Sequence, residues 1–147
     1  MTGADNEAPL LSPLTEEQLL DLLVKTSRTF AISIPVLEQP LRREVMVAYL
    51  LFRIADTFED AASWPIERRV EALENLASVL DGSTDPTVTA LVSSWMSGDS
   101  PSSDPGYLEL LRESPRVVDA FRWLEPRPHQ LIAEHTKRTA LGMAESI

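Results

Sequence analysis

The chain has 147 residues, of which 44% are hydrophobic, with a formal net charge of −10 and no cysteine. This acidic balance argues against nucleic acid or an anionic membrane as a partner, because both are negatively charged. The missing cysteines exclude disulfides, thiolate catalysis and cysteine-based zinc sites, and the presence of only two histidines excludes a histidine-rich metal site.

The first predicted elements are a tail and a helix. Residues 1–14 are expected to form a flexible tail. Thr15 and Gln18 can form a capping box, in which the side chain of each accepts a hydrogen bond from the backbone N–H of the other. They open a predicted helix with a leucine-rich face that reaches about Ile32, and Pro35 ends it.

The next predicted helix, over about 40–62, carries a narrow polar stripe. Through its apolar middle only Tyr49 and Arg53 have polar side-chain atoms. At about 100° per residue, these two residues, Asp56 and Asp60 fall within about 60° of one another. A helix that is apolar on its other faces is buried, and buried charge is costly unless it is paired or binds a metal. The stripe therefore predicts a polar cavity.

Taken alone, the stripe is explained equally well as the polar edge of a partly exposed helix, stabilised by i,i+3 ion pairs such as Arg53–Asp56. Two observations favour a ligand site. Asp56, Glu59 and Asp60 place three carboxyl groups within two turns, more negative charge than Arg53 can neutralise. In the upstream segment 26–35, hydroxyl and guanidinium donors precede an apolar run. Such donors suit an anion such as phosphate, although Ser and Thr near a helix end more often cap the backbone.

The remaining elements are also predicted to be helices, which makes the chain all-α. Pro65 opens one that closes at Gly82, and the last helix begins at Pro128. Three pairs of a capping residue and a proline predict short helices between them. These are Asp85–Pro86 for 86–97, Asp104–Pro105 for 105–113 and Ser114–Pro115 for 115–124. The residues interpreted as packing anchors are Trp64, Trp95 and Trp123.

Two segments carry a family resemblance, and together they read SRTFAISIPVLEQPLRREVMVAYLLFRIADTFED. They resemble the N-terminal part of the squalene/phytoene synthases, the head-to-head isoprenyl diphosphate synthases. That family shows S-[RK]-[ST]-F, then L-R-x-x-V, then Y-x-x-x-R-x-x-D-x-x-[ED]-D. Residues 132–145 resemble its I-A-[DE]…G-M-A-E helix, so the resemblance covers about 19–146. The DTFED and GMAE segments look more like squalene synthases than phytoene synthases.

The resemblance implies a fold and a site. The fold would be a helical bundle, the N-terminal half of an isoprenoid synthase-type fold, with residues 15–147 forming a partial domain. The implied site residues are Asp56, Glu59 and Asp60 for Mg²⁺; Ser27, Arg28, Thr29, Phe30 and Arg53 for the diphosphate substrate; and Tyr49 and Arg53 for catalysis. Phe30 is interpreted equally well as an ordinary core aromatic.

The implied activity is the head-to-head condensation of two isoprenyl diphosphates, farnesyl or longer. It would pass through a cyclopropyl diphosphate to a squalene- or phytoene-type product, with NADPH as a further cofactor if squalene is formed. Two alternatives stay open. One is a non-catalytic or split subunit that retains the contacts to Mg²⁺ and diphosphate. The other is a helical interaction module whose polar stripe is only structural.

The family also carries a second motif, D-x-x-x-D, on a helix. Asp81 and Asp85 have this spacing, but they flank Gly82 and precede Pro86. We therefore expect an apparently truncated half that is inactive alone and pairs with a complementary C-terminal half or a second copy. The N-terminus lacks the basic segment of a signal peptide, and no apolar run is long enough to span a bilayer. We expect a cytoplasmic protein with peripheral membrane contact through an apolar product.

Overall fold

The computed structural model describes residues 14–82 and 87–147. Within these ranges the chain forms eight α-helices and one short 3₁₀ turn, without a β-strand. The helices are α1 (Glu16–Thr26), α2 (Arg28–Ser33), α3 (Leu41–Glu59), α4 (Ile66–Leu80), α5 (Val88–Trp95), α6 (Pro105–Arg112), α7 (Ser114–Arg122) and α8 (Pro126–Ser146), and the 3₁₀ turn is Ile34–Val36. The predicted all-α class is confirmed.

The first helix begins where the sequence predicted but ends earlier. Both hydrogen bonds of the Thr15–Gln18 capping box are present. The predicted end near Ile32 is wrong, because Ser27 leaves the helical region with φ −160° and ψ 84°. Its backbone N–H donates to the Leu23 carbonyl, which closes α1, and a separate helix α2 then begins. The break makes the buried Thr26 the last residue of α1, a helix that contacts α3.

The long helix α3 lies at the centre of the bundle, where α1, α4, α6, α7 and α8 all contact it. One side of it is buried, through residues that are each at most 1% exposed. They are Met46, Val47, Leu50, Leu51, Ile54, Ala55 and Phe58. Burying one such large apolar side chain stabilises the fold by about 1.5–3 kcal/mol. This face therefore fixes the rotation of α3 and directs its polar stripe away from the core.

The caps of the short helices follow the predictions in part. Asp104 caps α6, because its side chain accepts from the backbone N–H groups of Gly106 and Tyr107. The predicted Ser114 cap is wrong: Ser114 lies inside α7, and its hydroxyl donates to the Leu110 carbonyl at 3.2 Å. The predicted Asp85–Pro86 pair lies outside the described residues, and Thr87 caps α5. The last helix begins at Pro126 rather than Pro128.

Two of the three tryptophans are packing anchors. Trp64 and Trp95 are each 3% exposed and both pack on the Phe58 ring, with centroids 5.8 Å and 4.6 Å away. The prediction for Trp123 is wrong, because 74% of it is exposed at the end of α7. Of the predicted tail 1–14, only Leu14 is described, and it is buried in the core. Among the described helices, none combines the length and the apolar character needed to cross a membrane.

Candidate functional site at the end of α3

Three carboxylates meet at the C-terminal end of α3. Asp56, Glu59 and Asp60 each offer a ligand oxygen, and these atoms lie within 4.8 Å of one another. Asp56 and Glu59 are half-buried, whereas Asp60, the C-cap residue, is exposed. The end of a helix that carries unsatisfied carbonyls also has a partial negative charge, which adds to that of the carboxylates. Clustered hard oxygen donors of this kind fit Mg²⁺, which prefers them to nitrogen or sulfur.

Asp56 is the member of this cluster that pairs with Arg53, yet the pKa of its carboxyl group is raised. Burial raises the pKa of its carboxyl group, and the nearby negative charge of Asp60 raises it further. The positive charge of Arg53 acts in the opposite direction but is the smallest of the three effects. The cluster therefore favours an additional cation, as expected when like charges share one site.

Arg53 joins the carboxylate cluster to the end of α1. Its Nη1 donates to Asp56 Oδ2 at 3.0 Å, and its Nη2 donates to the Thr26 carbonyl at 3.3 Å. The guanidinium carbon lies 4.8 Å from the centroid of the Tyr107 ring and 6.0 Å from that of Tyr49. The Nε atom is buried and makes no hydrogen bond within the described part of the chain. Arg53 is therefore fixed in position, and some of its N–H groups remain available to donate hydrogen bonds to a ligand.

The upstream segment meets the same helix at Tyr49. The Tyr49 hydroxyl donates to Ser27 Oγ at 3.0 Å, and the Tyr49 ring stacks on Phe30 at 4.0 Å with only 9° between the planes. Ser27 and Phe30 are thus brought together with the polar stripe. Arg28 and Thr29 are exposed in the first turn of α2. Within the described residues, neither of these side chains makes a hydrogen bond or an ion pair with the site.

An apolar groove of about 430 Å³ opens next to Tyr49, between α2, α3 and α8. Phe30 forms part of its wall. Among its other lining residues are Ala48 and Phe52 of α3, and Leu131, Ile132 and Thr136 of α8. The sequence did not predict that α8 lines the groove. Its apolar positions indicate that one face of this helix is buried, but not which helix that face packs against. Tyr107 was also missed, since nothing in the sequence connects it with Arg53.

Comparison with known proteins places the chain in one family. A model of the family described as squalene/phytoene synthase matches residues 23–147. Squalene synthase BSS of Botryococcus braunii is 32% identical over 128 residues, which covers 86% of this chain and 25% of that protein. The squalene synthase of Homo sapiens is 31% identical over 123 residues, 84% of this chain and 26% of that protein.

Solved structures show the same likeness. The complex of TcSQS with the ligand BPH1237 matches with a TM-score of 0.70 and 30% identity, over 86% of this chain and 34% of that chain. The chain thus spans about a quarter of the length of the curated relatives named above. The family match includes most of this chain and every residue of the site described above, and the chain belongs to the squalene/phytoene synthase family.

Proposed function

We propose that this chain supplies the first Mg²⁺–diphosphate half-site of a head-to-head prenyltransferase that acts on farnesyl or longer diphosphates. One observation carries the proposal. The carboxylate cluster and Arg53 lie on the same helix as Tyr49, and Tyr49 borders the apolar groove. An isoprenyl diphosphate has a strongly anionic head and an apolar chain. With Mg²⁺ on its carboxylates, the polar end of α3 would suit the first, and the groove suits the second.

Asp56 and Asp60 would hold Mg²⁺, with Glu59 as an additional ligand. The metal, when bound, would supply the positive charge that a leaving diphosphate requires. In ionisation the allylic C–O bond breaks and its electron pair leaves with the diphosphate. Arg53, already fixed beside Asp56, would donate hydrogen bonds to the developing negative charge. Ser27, Arg28 and Thr29 would add further donors on the α1–α2 side.

Tyr49 would act on the carbon side of the same bond. Its hydroxyl is held by Ser27, and its ring is held by Phe30 at the wall of the groove. An aromatic face next to an allylic cation stabilises positive charge. The apolar lining of the groove would keep water from that cation. If the product is squalene, a reduction by NADPH would follow; the site described here bears on the ionisation alone.

A second candidate function is a split or non-catalytic subunit that binds Mg²⁺ and diphosphate but needs another polypeptide for turnover. Within residues 14–82 and 87–147, the carboxylates at the end of α3 form the one group suited to a metal. We propose that residues 1–147 alone form no squalene or phytoene from labelled farnesyl diphosphate, Mg²⁺ and NADPH. A polypeptide that carries the D-x-x-x-D motif should restore product formation. Efficient turnover by the pure chain would contradict the half-site proposal.

The test of the metal site is calorimetric titration with a non-hydrolysable farnesyl diphosphate analogue in Mg²⁺. Asp56→Asn and Asp60→Asn should each weaken Mg²⁺-dependent binding about tenfold or more, because hydrogen bonds and contacts to charged groups are worth about 1.5–3 kcal/mol. Glu74→Gln is the matched control, since Glu74 is an exposed acid of α4 and is not part of the cluster. Unchanged binding by both aspartate variants would remove the metal assignment and favour a helical interaction module.

A further inference from the structure

We infer that Tyr107 of α6 is a positioning residue that holds the Arg53 guanidinium for the diphosphate. This inference deepens the proposed function and rests on it. Tyr107 lies outside the polar stripe and outside the segment around Ser27, and it reaches the site only through α6. Its contact with Arg53 is the closer of the two tyrosine contacts, at 4.8 Å against 6.0 Å for Tyr49.

The contact of Tyr107 with Arg53 is made in two ways. The guanidinium lies over the Tyr107 ring, an arrangement in which the negative face of the ring attracts the cation. The Tyr107 hydroxyl also donates to the Thr26 carbonyl at 3.4 Å, and Arg53 Nη2 donates to that same oxygen at 3.3 Å. This carbonyl belongs to the last residue of α1, where helix carbonyls lack partners within the helix. Both side chains are therefore tied to one fixed acceptor.

The approach of α6 to α1 explains why Tyr107 can reach this position. A Cβ atom at Gly106 would lie 2.3 Å from the Lys25 backbone oxygen, a distance that no other residue could accommodate without moving the helices apart. Lys25 also pairs with Glu109 on the next part of α6 at 2.9 Å. Gly106 and the Lys25–Glu109 pair hold α6 against the last turn of α1, which places the neighbouring Tyr107 over Arg53.

The small number of hydrogen bonds made by Arg53 explains why the contact with the Tyr107 ring matters. Its Nη1 and Nη2 each make one hydrogen bond to the protein, and each carries a second N–H. Its Nε is buried without a hydrogen-bond partner in the described residues. With only these two acceptors in the described residues, several N–H donors of the guanidinium have no hydrogen-bond partner there. The face of the Tyr107 ring restricts the remaining rotation of the guanidinium. A preorganised guanidinium loses less freedom when it binds a diphosphate.

The test uses the full 147-residue chain and two readouts. The first is the Arg53 Nε–H resonance in the free protein, assigned by its loss in Arg53→Lys. Tyr107→Leu should remove the ring-current shift of this resonance, and Tyr107→Phe should keep most of it. The control Leu111→Val changes a fully buried residue of the same helix, so it lowers stability but keeps the Tyr107 ring. An Nε–H resonance that is the same in Tyr107→Leu as in the parent would overturn the inference.

The second readout is titration with inorganic diphosphate in Mg²⁺. Tyr107→Leu should weaken binding about three- to tenfold, as expected for a partly desolvated cation–π contact. Tyr107→Phe keeps the ring but loses the hydroxyl bond to Thr26, so it should weaken binding less than Tyr107→Leu, and Leu111→Val should bind within about twofold of the parent. In an Arg53→Gln background, Tyr107→Leu should have no further effect. An equal loss in that background would show that Tyr107 acts independently of Arg53 and would overturn the inference. If the parent binds no diphosphate, the proposed function fails, and the Nε–H resonance alone decides whether Tyr107 positions Arg53.

Discussion

Two arginines of this chain lie over aromatic rings, yet their surroundings differ. Arg68 of α4 lies over Trp64, with its guanidinium carbon 4.0 Å from the ring centroid. Its Nη2 donates to the carbonyls of Ser94 and Ser97 at 3.0 Å and 2.7 Å, at the end of α5. Arg68 thereby supplies donors to helix-end carbonyls and joins α4 to the loop that follows α5. This is the work of a structural arginine.

Arg53 makes the same kind of ring contact with a different outcome. It donates one hydrogen bond to a carboxylate and one to a carbonyl, and its Nε is buried without a hydrogen-bond partner in the described residues. Its partner Asp56 belongs to the carboxylate cluster at the end of α3. A ring contact therefore does not by itself distinguish a structural arginine from a functional one. We propose that the hydrogen-bond acceptors and charges around the guanidinium do, and that they mark Arg53 as the functional one.

The largest effect is expected for Arg53→Lys. Lysine keeps the positive charge but loses the planar fork, so it cannot donate to Asp56, to Thr26 and to a diphosphate in the same arrangement. Mg²⁺-dependent affinity for the farnesyl diphosphate analogue should fall about tenfold or more, because charge-assisted hydrogen bonds are worth about 1.5–3 kcal/mol. The measurement is calorimetric titration. Parent-like binding by Arg53→Lys would place Arg53 in the same class as Arg68.

Arg68→Lys is the matched substitution and should show the reverse pattern. It loses the hydrogen bonds to the Ser94 and Ser97 carbonyls, so the free energy of unfolding should drop by about 1–2 kcal/mol. Affinity for the analogue should stay at the parent value, since Arg68 donates to the Ser94 and Ser97 carbonyls and not to the carboxylates at the end of α3. Urea unfolding and the same titration test both statements. A loss of affinity without a loss of stability would make the distinction between the two arginines wrong.

The sequence predicted the parts of the site that depend on local spacing. The stripe from Tyr49 to Asp60 follows directly from helix periodicity, and the structure places its two acids in one cluster with Glu59. The break at Ser27 was not predicted, because the helical pattern continues through it and only the backbone conformation reveals it. The contribution of α8 to the groove and of Tyr107 to Arg53 depends on helix packing. The close approach that Gly106 permits has no counterpart in the pattern of residues along α6.

A smaller effect is expected at the junction of α1 and α2. Ser27→Ala removes the acceptor of the Tyr49 hydroxyl and one proposed donor to the diphosphate, so affinity for the analogue should fall about three- to fivefold, roughly 1 kcal/mol for a lost hydrogen bond. Thr29→Val should cost about as much if its hydroxyl contacts the ligand. The same titration measures both. If both variants bind like the parent, the segment is only a helix junction, and Arg53 acts without support from it.

The smallest effect concerns pH and follows from the acid that pairs with Arg53. Burial and Asp60 raise the pKa of Asp56 above the ordinary aspartate value. The folded state therefore binds a proton more readily than the unfolded state, and this group costs stability as pH rises from the ordinary aspartate value through the raised one. Asp56→Asn should be at least as stable as the parent at pH 7, and its advantage should shrink as pH falls toward 4. Urea unfolding across this range, with Glu74→Gln as the control, measures the difference in stability.

Mg²⁺ favours the charged form of the Asp56 carboxylate, so its addition should reduce or reverse the stability advantage of Asp56→Asn. A parent that is more stable than Asp56→Asn at pH 7 without Mg²⁺ would show that the Arg53–Asp56 pair outweighs burial, and Arg53 would then resemble Arg68 after all.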